Sequence, residues 1–358
     1  MGTATPTFAR RATDRPQGAL AGDPLRSTTV LAPDRLEDQP VFVVGLPRSG
    51  SSYLAHLLQE IDGLYVFDDY YALQKAEAIA LDRGLDDAEL ERFVDRLAWE
   101  TRARVKFEED FRRPDLELGD VDEAEQAILA TFEGVEPMWH DVAAEWLVRL
   151  ARHHGSDQWG WKTPQDFLHL DRLIRIWPNA RIIHLARDPR AIMTSLKNLT
   201  WFHGSDGDPR QYHPIAYSLY WRMSERVTAD FVARSDADLL RVRFETLRDD
   251  PATVAAEMAE FCGRSVGRVE RPQTVNSTSG AKGRRLTPTE LWIVQRLAGA
   301  EMASAGYDLQ PARPRLRDAL EIGRVSAGFA GYQVGRVVSD PEKRASVRRV
   351  VAGSLGRR

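Results

Sequence analysis

The sequence of 358 residues contains a single cysteine, Cys262. This scarcity excludes an intramolecular disulfide and a zinc site built on several thiolates. The position of Cys262 late in an apolar, helix-like run indicates a core residue. No apolar run approaches the roughly 20 residues that span a bilayer, so no transmembrane segment is expected. The residues before Pro40 also lack the apolar core of a secretory signal, and we expect a cytoplasmic protein.

Positive charge is also in short supply, because 49 Lys and Arg residues are outnumbered by 53 Asp and Glu residues. Proteins that wrap a polyanion carry a clear excess of basic residues, whereas the net charge here is −4. A large nucleic-acid interface is therefore not expected. Clusters of cysteine and histidine typical of metal sites are missing as well, and no metal is expected.

Short apolar runs alternate with helix-like segments through the middle of the chain. Residues 41–44 are a continuous apolar run that ends at Gly45, typical of a strand buried on both faces of a parallel sheet. Similar strand signals occur at 65–67, 159–161, 181–186 and 239–244. Strands that alternate with helices predict an α/β fold with a parallel sheet of about five strands flanked by helices.

The first of these strands leads into a loop bounded by glycines, Gly45-Leu46-Pro47-Arg48-Ser49-Gly50-Ser51-Ser52. Leucine and isoleucine residues at helical spacing follow, so the loop is predicted to open into an amphipathic helix. Backbone N–H groups in such a loop, and the helix N-terminus behind it, bind anions. Nucleoside triphosphatases have Lys after the second glycine. Ser51 occupies that position and the cation, Arg48, lies inside the loop, which argues against ATP or GTP.

Arg187 and Ser195 lie at a second predicted strand-to-helix connection. Arg187 directly follows the strand signal at 181–186 and offers two parallel donors to a phosphate. Asp188 and Pro189 suit the N-cap and first residue of a helix, and Ser195 adds a hydroxyl about two turns into it.

These motifs resemble those of sulfotransferases that use 3′-phosphoadenosine 5′-phosphosulfate (PAPS). Residues 47–52 are similar to the family's 5′-phosphosulfate loop, and Arg187 with Ser195 to its 3′-phosphate site. Residues 282–284 resemble the late loop that closes over the nucleotide in many members. The resemblance covers roughly residues 40–310 and implies PAPS as donor and 3′-phosphoadenosine 5′-phosphate (PAP) as product. The donor-binding residues that it implies are Pro47, Arg48, Ser49, Gly50, Ser51, Ser52, Arg187, Ser195, Lys282, Gly283 and Arg284.

The resemblance also implies catalytic residues. Lys162, in Lys162-Thr163-Pro164, is similar to a family lysine whose ammonium stabilises charge on the leaving phosphate, a role that Arg48 would share. A base must take the acceptor's proton. Histidine does so in cytosolic small-molecule sulfotransferases, whereas tyrosylprotein and several carbohydrate sulfotransferases use a carboxylate about twenty residues after the loop. Asp68 and Asp69 lie at that distance, at the carboxyl end of a predicted strand, where open α/β sheets bind ligands.

Asp69 fits the carboxylate position better by counting, with Asp68 and His140 as alternatives. The family's carboxylate is a glutamate, so an aspartate shortens the reach by one methylene. On this evidence the chain is nearer to the carboxylate-base branch than to the histidine-base branch. The expected reaction transfers a sulfonate group from PAPS to a hydroxyl of a carbohydrate, natural product, lipid or tyrosine. The alternatives are a P-loop kinase acting on a small molecule and a non-catalytic nucleotide-binding protein of the same fold.

The predicted domain organisation has three parts. Residues 1–39, with several Pro, Gly, Thr and Arg, are interpreted as a mobile N-terminal arm, and residues 40–310 as the sulfotransferase domain. Residues 74–155 form a helical insert within it, either a structural bundle or a lid that binds the acceptor. Residues 311–358 hold eleven basic and four acidic residues. This basic C-terminal extension is either a solvated tail with some helix or a segment attracted to an anionic acceptor, membrane surface or partner.

Overall fold

The computed structural model describes residues 38–79, 81–107, 116–198, 212–267, 269 and 285–339. Its centre is a parallel sheet of five strands, as the sequence predicts. The strands are β1 (Val41–Gly45), β2 (Leu64–Asp68), β3 (Gln158–Lys162), β4 (Arg181–Ala186) and β5 (Asp238–Arg243). Their order across the sheet is β2-β3-β1-β4-β5. Every strand pair is parallel, so all five carboxyl ends lie at the same edge of the sheet.

β1 is the central strand and every one of its side chains is buried, as its uninterrupted apolar sequence predicts. Val41 is in register with Gly160 of β3 on one side and with Arg181 of β4 on the other. Gly160 lies so close to β1 that an added Cβ would stand 2.1 Å from the carbonyl oxygen of Val41. The glycine between two tryptophans is therefore required by the spacing of these two strands.

Helices cover both faces of the sheet. The α-helices are α1 (Ser51–Leu58), α2 (Ala72–Ile79), α3 (Asp87–Phe107), α4 (Leu118–Thr131), α5 (Trp139–His153), α6 (Leu170–Ile176), α7 (Pro189–Lys197), α8 (Pro214–Arg234), α9 (Phe244–Asp249), α10 (Pro251–Cys262), α11 (Pro288–Ser304) and α12 (Leu316–Ser339), and a 3-10 helix spans Pro164–His169. α1 and α10 pack with Val41 and Val43 on one face, and Cys262 is buried there. Most of the others pack on the opposite face.

The segment between β2 and β3 consists of α2 to α5 and packs on an aromatic cluster. Phe42 of β1 lies 4.3 Å from Trp161 and 5.3 Å from Trp177, measured between ring centroids. Trp139 and Trp159 complete the cluster, and both are buried. Because aromatic side chains bury large areas, this cluster fixes α5 firmly against the sheet.

The C-terminal extension begins with α12, which lies against α8. The ring of His213 stacks on Phe329 at 4.9 Å and lies 2.9 Å from the hydroxyl of Ser326. Leu316 and Leu320, on the far side, are exposed. Residues 1–37 of the expected arm and 340–358 of the extension lie outside the described residues. Among the helices of the described ranges, none is both long enough and apolar enough to cross a membrane.

Candidate active site

The glycine loop joins β1 to α1, in the predicted strand–loop–helix arrangement. Gly50 is the N-cap of α1, with a φ of 97°, and an added Cβ would stand 2.3 Å from the ring of Phe244. Both the backbone and the space therefore require glycine at this position. The Ser49 N–H donates to the carbonyl of Leu46 at 3.1 Å, which closes the turn. The side chain of Ser49 is buried, and its hydroxyl has no protein partner in the described part of the chain.

Arg48, Arg187 and Ser195 meet at this loop although they are far apart in sequence. The Nε of Arg48 donates to Ser195 Oγ at 3.2 Å, and Nη1 of Arg187 donates to the carbonyl of Arg48 at 2.9 Å. Neither guanidinium has a carboxylate within 4.0 Å among the residues that the structure describes. Burial lowers the pKa of Arg48 and of Arg187, because the charged form loses hydration. An anion placed here would compensate two cations that the protein leaves unpaired.

Arg187 is held in place from both sides. Its guanidinium lies over the ring of Phe244 at 4.1 Å, and Trp221 Nε1 donates to its carbonyl at 2.9 Å. Asp188 caps α7 by accepting the N–H of Arg190 at 2.8 Å, as the sequence predicts. The guanidinium of Arg190 pairs with the same carboxylate at 2.6 Å. The two arginines thus differ: Arg190 is neutralised within its own helix, whereas Arg187 is directed to the loop.

Lys162 lies on the other side of the loop, at the end of β3. It is 1% exposed and forms an ion pair with Asp68 at 2.5 Å and another with Asp69. Its Nζ also lies 3.4 Å from the hydroxyl of Ser52, in the first turn of α1. This contact joins the lysine–carboxylate cluster to the glycine loop. The cluster forms because Asp68 and Lys162 are register partners on adjacent strands.

Asp69 differs from Asp68 in its surroundings. Its side chain is 28% exposed, compared with 5% for Asp68, and Arg104 of α3 approaches it at 3.6 Å. Burial opposes ionisation of Asp69, but the charges of Lys162 and Arg104 outweigh it, and its pKa lies below the ordinary value. Burial acts against the charged form of Lys162 too, yet the two aspartates hold its pKa above the ordinary value. Both shifts favour the ionised forms of Asp69 and Lys162.

Three residues other than glycine have a left-handed backbone in the described ranges, and all three lie at this site. They are Arg48 (φ 70°), Asp69 (φ 56°) and Tyr71 (φ 50°). Such conformations cost on the order of 1–3 kcal/mol each and concentrate at functional sites. The Asp69 N–H donates to the carbonyl of Lys162 at 2.8 Å, and the Tyr71 N–H donates to the Thr163 hydroxyl at 3.1 Å. These two hydrogen bonds to the end of β3 hold Asp69 and Tyr71 in their unfavourable backbone conformations.

The predicted residues thus divide into those that the structure brings together and those that it does not describe. Residues 47–52, Lys162, Asp68, Asp69, Arg187 and Ser195 all lie at the carboxyl edge of the sheet. Lys282, Gly283 and Arg284 lie outside the described residues. The alternative base, His140, is fully buried beside Trp139 and Trp177, and burial lowers its pKa to about 4.

Sequence reasoning missed two side chains that shape the site. Arg104 lies inside the long helix α3, where nothing local distinguishes it from other surface cations. Phe244, which contacts both Gly50 and Arg187, was placed at the end of a strand but begins α9. A signal for Phe244 exists in hindsight, since it follows the carboxyl end of β5, at the same edge as the other site residues.

The residues present fit a ligand that carries a phosphosulfate at one end and a phosphate at the other. The loop offers the hydroxyl of Ser49, which has no protein partner, and a glycine cradle that a Cβ would fill. Arg187 Nε is buried without a hydrogen-bond partner in the described chain. Buried donors of this kind are satisfied by water or by a ligand.

The chain matches the model of the sulfotransferase family over residues 40–267. Similar solved structures include the sulfotransferase domain of the Synechococcus PCC 7002 olefin synthase, with 21% identity, a TM-score of 0.46 and coverage of 82% of this chain and 94% of that one. The sulfotransferase domain from the curacin biosynthetic pathway is 17% identical, with a TM-score of 0.46 and coverage of 76% of this chain and 99% of that one. A sulfotransferase from Alicyclobacillus acidocaldarius is 15% identical, with a TM-score of 0.41 and coverage of 76% of this chain and 97% of that one. No curated protein sequence matches the chain.

The family match covers all five strands, from β1 to β5, and therefore the whole edge at which the site residues meet. It also covers more than half of the chain. On this basis the chain belongs to the sulfotransferase family.

Proposed function

We propose that the protein transfers a sulfonate group from PAPS to an acceptor hydroxyl. The observation that carries this proposal is the pair of arginines at the glycine loop, Arg48 and Arg187, which contact each other and have no carboxylate within 4.0 Å among the described residues. A lysine paired with two carboxylates lies at the same edge of the sheet. The arginine pair suits a polyanionic donor, and the lysine–carboxylate cluster suits removal of a proton from the acceptor.

The donor would be held by the side of the site that carries unpaired positive charge. The N–H groups of residues 50–52, at the N-terminus of α1, and the hydroxyl of Ser49 would bind the 5′-phosphosulfate. Arg187 and Ser195 would bind the 3′-phosphate. Arg48 belongs to the glycine loop and contacts both Ser195 and Arg187, so it joins the two binding regions. When bound, PAPS supplies an activated sulfonate and a phosphate leaving group. Lys162, whose Nζ lies 3.4 Å from the hydroxyl of Ser52, would stabilise negative charge on that phosphate.

Asp69 is the residue that we propose takes the acceptor's proton. It is the more exposed member of the aspartate pair, whereas Asp68 is enclosed with Lys162. Its low pKa keeps it ionised and therefore ready to accept a proton. A low pKa also weakens a base. Lys162 contributes to that low pKa, so any shift of Lys162 towards donor phosphate would make Asp69 more basic.

Thermal stability in the presence of nucleotides tests the donor assignment. A ligand at 100 times its Kd stabilises the folded state by about 2.7 kcal/mol when it binds only that state. We expect PAP to raise the melting temperature and ATP with magnesium to have a much smaller effect. Transfer of radiolabel from PAPS to an acceptor then tests turnover. Stabilisation by ATP with magnesium but not by PAP would contradict the proposal and favour a kinase.

A further inference from the structure

A cavity of about 440 Å³ opens between α2 and α3, next to the aspartate pair. Small-molecule sites commonly have volumes of about 300–1,000 Å³. Two aromatic side chains line it, Tyr71 and Trp99. The indole of Trp99 is 68% exposed, which is unusual for so large an apolar side chain, and it belongs to the wall of this cavity.

The cavity lies close to the candidate base in the chain and in space. Tyr71 lines the cavity and follows Asp69 by two residues, and burial together with the nearby charge of Asp69 raises the pKa of its hydroxyl. Asp69 in turn pairs with Lys162, which contacts Ser52 of the loop. A molecule in the cavity would therefore lie beside the base, and the base lies beside the proposed donor site.

The walls are rich in charge, which restricts what the cavity can bind. Lys75 pairs with Glu100 at 2.6 Å, and both line the cavity together with Asp95 and Arg96. An alkyl chain would remove these groups from water without replacing their hydrogen bonds, and this is costly. A lipid tail is therefore disfavoured. A ligand with many hydroxyl groups would instead form hydrogen bonds with these side chains in place of those that water makes.

Gln74 adds a fixed hydrogen-bond acceptor. Its Nε2 donates to Asp166 at 2.8 Å, and the same carboxylate accepts Trp161 Nε1 at 2.7 Å. Because the amide nitrogen is committed to Asp166, the Oε1 of Gln74 is left as an acceptor. This oxygen has no hydrogen-bond partner in the described chain. A hydroxyl donor from a ligand would satisfy it.

We infer that this cavity is the acceptor site and that it takes a saccharide or a similar polyhydroxylated ring. The ring's C–H face would pack on the indole of Trp99, and its hydroxyls would bond with Gln74 and the charged walls. This inference rests on the proposed sulfotransferase function. The acceptor oxygen would form the new O–S bond as the S–O bond to the phosphate breaks. Its proton goes to Asp69, and the phosphate leaves with the electron pair, as PAP.

The first test compares acceptor classes with labelled PAPS. The panel contains methyl glucoside, methyl galactoside, lactose and myo-inositol, simple phenols, and hydroxylated fatty acids. We expect label on a saccharide or the cyclitol in preference to the other classes. Preferential labelling of a phenol or a fatty acid would overturn the inference and leave sulfotransfer intact. A wild-type protein that does not bind PAP would instead overturn the proposed function, and the inference with it.

The second test compares two exposed tryptophans. Trp99 lines the cavity, whereas Trp292, on α11, is 38% exposed and is not part of its wall. We expect Trp99→Ala to raise the KM for the best acceptor about three- to tenfold, the usual size of an aromatic stacking effect. Its Kd for PAP should be unchanged, and acceptor binding measured by saturation-transfer NMR with PAP present should weaken. Trp292→Ala should alter neither quantity. Equal acceptor binding by the two variants would remove Trp99 and this cavity from the acceptor site.

Discussion

The two sides of the active site balance their charges in opposite ways. On the side formed by β1 and β4, Arg48 is exposed and Arg187 is partly buried, and neither cation has a carboxylate within 4.0 Å in the described chain. On the side formed by β2 and β3, the buried cation Lys162 has two carboxylates. Positive charge is thus left uncompensated on one side and fully compensated on the other.

This difference indicates which side depends on a ligand. Two neighbouring cations without a counter-charge repel each other, and, in addition to burial, the charge of Arg48 lowers the pKa of Arg187, so an anion at this side would be stabilising. The lysine–aspartate side is complete without a ligand, and its geometry is set by the register of β2 and β3. We therefore expect substitution of either arginine on the first side to change donor affinity with little loss of stability. Those on the second should change stability, turnover or both.

The largest effect is expected for Lys162→Met. This change leaves Asp68 and Asp69 without their shared cation, and breaking a buried ion pair typically costs about 3–5 kcal/mol of unfolding free energy. Urea unfolding measures this loss, and sulfonate transfer should fall to background. Adding Asp68→Asn removes the more enclosed of the two carboxylates and should restore part of the stability. A double variant no more stable than Lys162→Met would show that loss of the Lys162–Asp68 ion pair does not cause the destabilisation.

Asp69→Asn is expected to lower kcat by about 10²- to 10⁴-fold, the usual contribution of a general base. The Kd for PAP should stay close to that of the unaltered protein. Because the pKa of Asp69 lies below its ordinary value of 3.8, the carboxylate stays ionised as the pH falls towards 4. The acid limb of kcat/KM that Asp69 causes should therefore lie below about pH 4. An acid limb near pH 6 would indicate a different base.

Arg187→Ala is expected to weaken PAP binding about 10- to 100-fold, because hydrogen bonds to charged groups contribute about 1.5–3 kcal/mol. The unfolding free energy should change little, since the lost cation has no ion-pair partner among the described residues. Isothermal titration calorimetry measures the affinity. Arg190→Ala is the matched control, because Arg190 is already paired with Asp188. If both variants bind PAP equally well, Arg187 does not contact the donor.

The smallest effect is expected from a change in loop shape. Gly50→Ala adds a Cβ 2.3 Å from the ring of Phe244, at a φ of 97°. Gly134→Ala is the control, since its φ of 71° is also left-handed but nothing lies within 4 Å. We expect Gly50→Ala to destabilise the protein by about 1–3 kcal/mol more than the control, the usual cost of overpacking. PAP affinity should fall in the first variant alone, and urea unfolding with calorimetry checks both.

Local sequence was sufficient for the glycine loop and its flanking elements. The apolar run of β1, the glycines and the helical spacing after them are neighbours in the chain, and each has a direct local meaning. The same holds for Asp188 as the cap of α7. These are the places where short-range rules determine the backbone.

The assembly of the site depends on long-range pairing that the sequence does not display. Lys162 meets Asp68 because β2 and β3 are adjacent, which follows from strand order and register. The approach of Arg104 to Asp69 and of Phe244 to Gly50 likewise depends on how α3 and α9 pack. The residue types predicted the chemistry, but only the packed sheet shows which charges are compensated.

The central position of β1 has a consequence for synthesis of the chain. β1 is made early, yet Val41 pairs with Arg181, about 140 residues later. At a translation rate of about 5–20 residues per second, the strand has no β4 partner for on the order of ten seconds. During that interval an apolar strand is exposed to other chains. Central strands of this kind therefore make the yield of folded protein sensitive to association between nascent chains, before the sheet has formed.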